Sequence, residues 1–254
     1  MRITTLGCSA SITGELRTTC YKVDEDILID AGTGAGELSL AQAIAIDCVF
    51  LTHAHLDHCA FVPMLADAAG SFRDAPLNVY ALPETIAILK QHMLNGQLWP
   101  DYTVQPTPEH PWLRLLPIHP GETVVVKGRR ITALPARHSV PCVAYQVDSG
   151  AASWVYSADT TLCEDFWLAL NHIDTLRYLL VENTFRNEDS AGAQRSGHHT
   201  AQLLALGLHL LQRPVELFIV HTEAGYEDVT RDEVLQAAGA FQPQMLQRGH
   251  VFEL

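Results

Sequence analysis

The sequence is poor in positive charge. Its 16 lysines and arginines stand against 29 aspartates and glutamates, a formal net charge of −13 in 254 residues. No run of basic residues is longer than the pair Arg129-Arg130. Because a protein that binds the phosphate backbone of a long nucleic acid needs clustered lysine and arginine, the composition argues against such a partner.

Three other signals are also missing. No apolar stretch approaches the roughly 20 residues that cross a bilayer, and the first residues have neither the apolar core nor the cleavage site of a signal peptide. The six cysteines, at positions 8, 20, 48, 59, 142 and 163, form no CxxC pair, which excludes a redox motif or a zinc knuckle. We therefore expect a cytoplasmic protein with free thiols and no membrane partner.

Strand-like and helix-like segments alternate along the chain, which is typical of a layered α/β fold. The predicted helices cover residues 37–44, 57–69, 83–94, 163–172, 198–212 and 228–239. The predicted strands cover residues 2–6, 19–23, 26–30, 48–52, 77–81, 112–117, 122–127, 130–136, 142–148, 152–157, 177–182, 215–220 and 249–253. No linker or repeat is visible, so we predict a single domain over residues 1–254 with an irregular insert near 95–111.

Histidine is enriched, with 13 residues, and its distribution is uneven. Three histidines and one aspartate fall in the segment His53-Ala54-His55-Leu56-Asp57-His58, directly after a predicted buried strand. Alternate residues of an extended segment point to the same side, so His53 and His55 can reach one cation together. Asp57 and His58 follow as the chain turns into a helix and can approach a second cation. Imidazole and carboxylate together suit Zn²⁺, Fe, Mn or Co, and the segment therefore predicts a metal site.

This segment resembles the HxHxDH signature of the metallo-β-lactamase superfamily. The resemblance implies an αββα sandwich with two metal ions at one edge of the paired sheets. It also implies three further ligands at the ends of later strands, where His138, Asp159 and His221 fit in order. The two implied ligand sets are His53, His55, His138 and Asp159 for one ion, and Asp57, His58, Asp159 and His221 for the other.

Two later segments, Glu182-Asn183-Thr184-Phe185 and Gly197-His198-His199-Thr200, resemble paired motifs of the phosphodiesterase branch of that superfamily. The resemblance implies that Glu182 orients His198, which protonates the leaving oxygen. An alkoxide is a poor leaving group without an acid, and a nearby carboxylate keeps a histidine protonated. From the residues alone, Glu182 could also be an ordinary residue at a strand end, and His198 an ordinary residue at the start of a helix.

Within this branch the chain resembles bacterial class II cyclic-nucleotide phosphodiesterases, and more distantly the transfer-RNA-processing ribonuclease Z. The similar segments are Leu6–Ser9, Leu16–Thr19, Leu28–Gly34, Thr52–His58, Trp99–Tyr102 and Glu182–Asn187. Only 21 positions separate His138 from Asp159, too few for the arm with which the processing enzymes grip transfer RNA. The sequence departs from the pattern at His199-Thr200-Ala201, where an apolar-Thr-Pro is expected, and at Thr222–Gly225, where a basic Lys-Pro often follows the last ligand.

The resemblance implies a dinuclear phosphodiesterase that hydrolyses a small 3′,5′-cyclic nucleotide of the cAMP or cGMP type. A metal-bridging hydroxide would attack phosphorus, with Asp57, Glu182 and His198 as the catalytic residues. Five histidines and two aspartates favour two zinc ions, with Mn or Fe as alternatives. Two other functions remain open: hydrolysis of a different bond (linear phosphodiester or RNA end, phosphonate, lactone, β-lactam or thioester), or metal binding without catalysis.

Several residues are candidates for contact with the substrate. They are Arg17 and Arg137 for a phosphate, His199, and Trp99 or Tyr102 covering a base. The two aromatic residues could instead belong to the core or to a homodimer contact. Two bound cations would make the site locally positive, so an acidic chain can still receive a small anionic substrate.

Asp30 is a further candidate, because it precedes the glycine-rich segment Gly32–Gly36 at the end of a predicted strand. This segment lacks the Lys-Ser/Thr of a P-loop and the register of a dinucleotide-binding loop. It is therefore interpreted as a tight turn that places Asp30 behind the metal site. There Asp30 would hold a ligand histidine in position.

Overall fold

A computed structural model describes all 254 residues of the chain. Its strands are β1 (Arg2–Gly7), β2 (Cys20–Val23), β3 (Ile27–Ile29), β4 (Cys48–Phe50), β5 (Leu77–Ala81), β6 (Pro106–Thr107), β7 (His110–Pro111), β8 (Leu113–Pro117), β9 (Thr123–Val126), β10 (Arg129–Pro135), β11 (Val143–Asp148), β12 (Ser153–Tyr156), β13 (Leu176–Glu182), β14 (Glu216–Val220), β15 (Gln244–Met245) and β16 (Val251–Glu253). Its α-helices are α1 (Leu40–Ala45), α2 (Leu56–Cys59), α3 (Val62–Gly70), α4 (Pro83–Ile88), α5 (Glu164–Asn171), α6 (Ser190–Ser196), α7 (Ala201–Leu208) and α8 (Glu227–Ala238).

The chain divides into two compact units, each made of separate chain segments. The first unit comprises Met1–Gly7, Arg17–His119 and Arg248–Glu253. The second unit comprises Cys8–Leu16, Pro120–Gln247 and Leu254. The single domain expected from the sequence stays a prediction.

The sheet of the first unit has seven strands in the order β16-β1-β2-β3-β4-β5-β8. The strands from β16 to β3 are antiparallel neighbours, and those from β3 to β8 are parallel neighbours. Strands β3 and β4 consist of the fully buried runs Ile-Leu-Ile and Cys-Val-Phe, as expected for parallel strands covered on both faces. Leu28 and Val49 share an apolar cluster with Val62 and Leu65 of α3, which forms the core of this unit.

The sheet of the second unit also has seven strands, in the order β15-β14-β13-β12-β11-β10-β9. Strands β9 to β12 are antiparallel neighbours, and strands β12 to β15 are parallel neighbours. Leu179 and Val181 of β13 share an apolar cluster with Trp167 of α5 and Leu204 of α7. This cluster is the core of the second unit, and it fixes β13, the strand that ends in Glu182.

In each sheet the parallel strands bring their carboxyl ends to one edge, where α/β proteins commonly place functional loops. Three residues just beyond these strand ends, Asp30, Ala158 and His221, have a backbone φ of 58°. A side-chain-bearing residue in this left-handed region costs on the order of 1–2 kcal/mol. The surrounding contacts must therefore hold these three turns in place.

Most of the helices, though not α8, are shorter than the sequence pattern predicts. The helix expected over 57–69 is two helices, α2 and α3, and the helix expected over 198–212 extends only from Ala201 to Leu208. Thr200 caps the N-terminus of α7 by accepting a hydrogen bond from the backbone of Leu203, so His198 and His199 lie in the turn before the helix. Helix α6 was not predicted, because its sequence Ser-Ala-Gly-Ala-Gln-Arg-Ser has no apolar periodicity and contains a glycine.

None of the helices combines the length and the apolar character needed to cross a membrane. The cytoplasmic location expected from the sequence stays a prediction, and the homodimer contact that the sequence left open is not tested.

Candidate metal centre

The first half-site lies at the end of β4 and contains the four ligand-type residues of the predicted motif. His53 and His55 lie in the loop between β4 and α2, with 3.1 Å between Nε2 of His53 and Nδ1 of His55. Helix α2 follows and carries Asp57 and His58, with 3.4 Å between an Asp57 carboxylate oxygen and Nε2 of His58. The imidazoles of His53 and His58 are fully buried, whereas the side chain of Asp57 is 29% exposed. The segment thus presents three imidazoles and one accessible carboxylate within six residues.

Asp30 holds two of these histidines in position. Its carboxylate lies 2.7 Å from Nδ1 of His58 and accepts hydrogen bonds from the backbone N–H and the hydroxyl of Thr52, at 2.8 and 2.9 Å. The Thr52 hydroxyl in turn lies 2.9 Å from Nδ1 of His53. Complete burial raises the pKa of Asp30, and the charge and hydrogen bond of His58 oppose that rise. Asp30 therefore fixes one imidazole directly and a second through Thr52.

Gly32 allows the turn after Asp30 to approach the motif closely. A Cβ atom at this position would lie 2.0 Å from the backbone oxygen of Asp57 and 2.5 Å from the hydroxyl oxygen of Thr18. Only glycine fits this space without moving the backbone of α2. Gly32 thus makes the close turn after Asp30, and the rest of the segment, interpreted as a tight turn from the sequence, forms a 3₁₀ helix over Thr33–Glu37.

The second half-site is built from three strand ends of the second unit. His138 follows β10, Asp159 follows β12 and His221 follows β14. Nε2 of His138 lies 3.9 Å from Oδ2 of Asp159, and Nε2 of His221 lies 3.5 Å from Oδ1 of Asp159. Each carboxylate oxygen of Asp159 therefore faces a different imidazole, which is the geometry of a carboxylate able to contact two cations.

The imidazoles of the second half-site are also held at Nδ1. Nδ1 of His138 lies 3.0 Å from the backbone oxygen of Gly197, and Nδ1 of His221 lies 2.9 Å from the hydroxyl of Thr184. A histidine that donates from Nδ1 keeps Nε2 available as a metal ligand. With His53 and His58, four candidate ligands follow this pattern, and their imidazole and carboxylate donors fit a divalent ion such as Zn²⁺, Mn²⁺ or Fe²⁺.

A buried carboxylate network lies beside the second half-site. Glu182 is completely buried at the end of β13. Its Oε1 accepts hydrogen bonds from the backbone N–H groups of Thr160 and His199, both at 3.1 Å, and lies 2.9 Å from Nδ1 of His198. Its Oε2 accepts hydrogen bonds from the backbone N–H and the hydroxyl of Thr184, both at 2.9 Å. Burial alone would raise the pKa of Glu182, but the charge and hydrogen bond of His198 hold it below its ordinary value. The network therefore favours an ionised carboxylate bonded to His198.

The ring of His198 lies between two candidate ligands. Its centroid is 4.7 Å from that of His138, with the planes at 69°, and 5.6 Å from that of His221, with the planes at 15°. The side chain of His198 is 11% exposed. Because Nδ1 is bonded to Glu182, Nε2 is the atom through which His198 can exchange a proton with a substrate.

Gly197 supports His138 through its backbone, and its substitution provides a direct test of this support. Its φ is 76°, and a Cβ atom would lie 2.8 Å from the backbone nitrogen of Ser139 and 2.9 Å from the carbonyl carbon of His138. We expect Gly197→Ala to displace His138, with about a tenfold loss of metal affinity and a loss of about 1–3 kcal/mol in unfolding free energy. Competition with a coloured chelator and thermal unfolding measure the two effects.

Gly150→Ala is the matched control, because Gly150 has a φ of 87° and no atom within 4 Å of the added Cβ. Gly150→Ala therefore has the same strain of an alanine at positive φ as Gly197→Ala, but its added Cβ contacts no neighbouring atom. An unchanged metal affinity in Gly197→Ala, or an equal loss in both variants, would contradict the support of His138 by Gly197.

The other residues predicted to contact the substrate have different environments. Arg17 forms an ion pair with Glu37 at 2.7 Å. The side chain of Tyr102 is buried, and its hydroxyl donates to Asp67, so it belongs to the core of the first unit, the alternative left open by the sequence. Trp99 packs against the same core.

The remaining two candidates lie in the second unit. His199 is fully buried, and burial lowers the pKa of its imidazole, so a direct contact with the substrate has no support in the structure. Arg137 is exposed and lines a cavity next to His138.

Sequence reasoning missed two threonines that position the candidate ligands. Thr52 bonds to Asp30 and His53, and Thr184 bonds to Glu182 and His221. The only signal in the sequence is their position: Thr52 directly precedes the motif histidine His53, and Thr184 lies two positions after the strand-end residue Glu182. That signal is common in other contexts, because serine and threonine often bond to nearby backbone.

Comparisons with known proteins agree with this architecture. Residues 25–222 match the family described as the beta-lactamase superfamily domain. Ribonuclease Z of Methanococcus maripaludis is 29% identical over 159 residues, which are 57% of this chain and 48% of that protein. A probable 3′,5′-cyclic-nucleotide phosphodiesterase of Yersinia pestis is 34% identical over 59 residues, which are 23% of this chain and 16% of that protein.

A solved structure, that of unliganded yeast PDE1, has a TM-score of 0.82 and 17% identity, and the similarity covers 100% of this chain and 99% of that one. This chain spans about half the length of the ribonuclease Z proteins that it matches. The family match covers most of the sequence. The chain therefore belongs to the β-lactamase superfamily and has the metallo-β-lactamase fold.

Proposed function

We propose that the protein is a metal-dependent phosphodiesterase with two divalent cations, zinc in the first instance. The proposed ligands are His53, His55, His138 and Asp159 for one ion, and Asp57, His58, Asp159 and His221 for the other. When bound, such ions activate water at neutral pH and stabilise negative charge on phosphoryl oxygens. The contacts described above, in which Nδ1 is engaged and Nε2 lies near another ligand atom, support this assignment.

The observation that carries the proposal is the position of His198. This ring is packed between His138 and His221, and its Nδ1 is bonded to the buried carboxylate of Glu182. Glu182 stabilises the protonated imidazole, and Nε2 of His198 donates the proton to the leaving oxygen. An alkoxide that leaves from phosphorus needs an acid so placed. A lactone also expels an alkoxide, and the assay below therefore includes both substrate classes.

The substrate class we propose is a small 3′,5′-cyclic nucleotide. Support comes from the similarity to the Yersinia pestis protein, which is a probable 3′,5′-cyclic-nucleotide phosphodiesterase. In the second unit, the chain between His138 and Asp159 contains only the hairpin of β11 and β12, which has no room for an RNA-binding arm. The net charge of −13 also disfavours a long polyanion.

A metal-defined turnover assay tests the proposal. Protein loaded with zinc, manganese or iron is incubated with cyclic AMP, cyclic GMP, bis-p-nitrophenyl phosphate, a lactone and a chromogenic β-lactam. We expect hydrolysis of the phosphodiesters alone. Two bound metal ions together with intact cyclic nucleotides and diesters after overnight incubation would contradict the proposal, and turnover of the linear diester alone would restrict it to linear substrates.

The acid role of His198 is tested by His198→Ala. We expect full metal content and a decrease in kcat of about 100-fold or more, because proton transfer to the leaving group contributes on that scale. A substrate with a p-nitrophenolate leaving group needs less protonation, and its turnover should fall less. The control is His209→Ala, since His209 is exposed at the end of α7 and bonds only to the backbone of Ala205. Equal losses on both substrates would exclude an acid role.

A further inference from the structure

A cavity of about 410 Å³ lies in the second unit next to His138. Arg137 and Arg195 line it, and Ser139, Thr161 and Gln194 add polar side chains. His138 itself forms part of the wall. The cavity is therefore adjacent to a proposed metal ligand, and cations and hydrogen-bond donors dominate its lining.

Neither arginine of this cavity forms an ion pair with a carboxylate of the chain. This is unusual in a protein with 29 acidic and 16 basic residues, where most arginines are paired, as Arg186 is with Asp189 and Arg231 with Asp228. Two unneutralised guanidinium groups in one cavity repel each other unless an anion joins them. The guanidinium group also matches the geometry of phosphate oxygens, to which it can donate two hydrogen bonds at once.

The backbone positions of both arginines are fixed. The N–H of Arg137 donates to the hydroxyl of Thr160 at 2.9 Å, and its carbonyl oxygen accepts from the N–H of Thr161 at 2.8 Å. Arg195 lies in the last turn of α6, which ends at the left-handed Gly197. Only the side chains must order when an anion binds, which limits the entropy cost of binding.

We propose that this cavity is a subsite for a second phosphate group, one that is bound but not hydrolysed. The inference deepens the proposed function and rests on it for the identity of the reaction. A cyclic mononucleotide has a single phosphate, which the metal centre would take. The subsite therefore selects substrates that carry a further phosphate, such as a cyclic or linear dinucleotide.

Product binding tests the subsite without turnover. The metal-loaded protein is titrated calorimetrically with 5′-AMP, which has one phosphate, and with the linear dinucleotide pApA, which has two and is used here as its methylenephosphonate analogue so that the internal linkage is not hydrolysed. We expect each of Arg137→Gln and Arg195→Gln to weaken pApA binding about tenfold, the order expected for a charge-assisted hydrogen bond. The Kd of 5′-AMP should change less than twofold. Arg195→Lys should retain part of the affinity.

Arg231→Gln is the control, because Arg231 lies on α8 of the same unit and is paired with Asp228. A parallel loss of 5′-AMP and pApA affinity in the two cavity variants would mean that these arginines hold the scissile phosphate, and would overturn the proposal. Unchanged pApA binding would also overturn it. Selective loss of pApA binding in a protein that hydrolyses no phosphodiester would retain the subsite and reject the proposed function.

Turnover measurements show whether the substrate with the second phosphate is a cyclic or a linear dinucleotide. The metal-loaded protein is assayed with cyclic di-AMP, linear pApA and cyclic AMP. A lower KM for cyclic di-AMP than for cyclic AMP, raised selectively by Arg195→Gln, identifies a cyclic dinucleotide. The same pattern with pApA identifies a linear one. Equal KM values for all three substrates would contradict the selection that the subsite predicts.

Discussion

Replacing Glu182 with glutamine should both destabilise the protein and nearly abolish its turnover. The carboxylate accepts five hydrogen bonds in a completely buried position, and an amide can accept at only one of its two ends. Whichever end becomes NH₂ then faces buried donors, either those of Thr184 or those of Thr160 and His199 together with His198. We expect a loss of about 3 kcal/mol in unfolding free energy and a decrease in kcat of about 10³-fold.

Urea unfolding and steady-state kinetics measure the two consequences of Glu182→Gln separately. Glu216→Gln is a suitable control, since Glu216 on the neighbouring strand β14 is half exposed and paired with Arg177 at 3.0 Å. A surface pair of this kind contributes roughly 0–1 kcal/mol. If Glu182→Gln were as stable as Glu216→Gln, the five hydrogen bonds would not have the weight that we assign to them.

Replacing Asp30 with asparagine should lower metal affinity about 10- to 100-fold, the usual effect of removing an outer carboxylate from a metal-binding histidine. The amide would donate to Nδ1 of His58 if its NH₂ took the place of Oδ2. The ring proton would then move to Nε2, which could no longer bind a cation. In the opposite orientation the amide would face the N–H of Thr52, and the hydrogen bond between these groups would be lost.

Metal affinity in Asp30→Asn is measured by competition with a chelator of known affinity, so the readout does not depend on the substrate. Asp47→Asn serves as the control in the same unit, because Asp47 lies before β4 and pairs with Arg73 at 3.0 Å. Full metal affinity in Asp30→Asn would show that the tautomer of His58 is set by other contacts.

The sequence was a good guide to residues that lie at strand ends. Buried strands are short apolar runs with sharp boundaries, so a polar residue directly after one is easy to place at a sheet edge. His53 was located in this way, whereas Glu182 and His221 were identified by the resemblance to family motifs, and the strands β4, β13 and β14 that carry them are present close to the predicted positions. The helices were less predictable, because their ends depend on caps such as Thr200 and on tertiary contacts that compete with local propensity.

Contacts between distant segments could not be read from the sequence. Thr184 reaches both His198 and His221, which lie 14 and 37 positions away. Arg195 acquires its environment only because α6, a helix without a clear sequence signal, ends beside His138. Residues of this kind have ordinary identities, and their roles depend on which strand ends the fold brings together.

The pairing of β1 with β16 has a consequence for the order in which the chain folds. Arg2 is opposite Glu253, and Thr4 is opposite Val251, so this strand pair closes a loop of roughly 250 residues. Such a closure costs about 3 kcal/mol more chain entropy than a ten-residue hairpin. During synthesis, Pro120–Gln247 of the second unit emerge before β16 exists. The sheet of the first unit, whose strand β1 is synthesised first, is therefore completed last, when β16 is added.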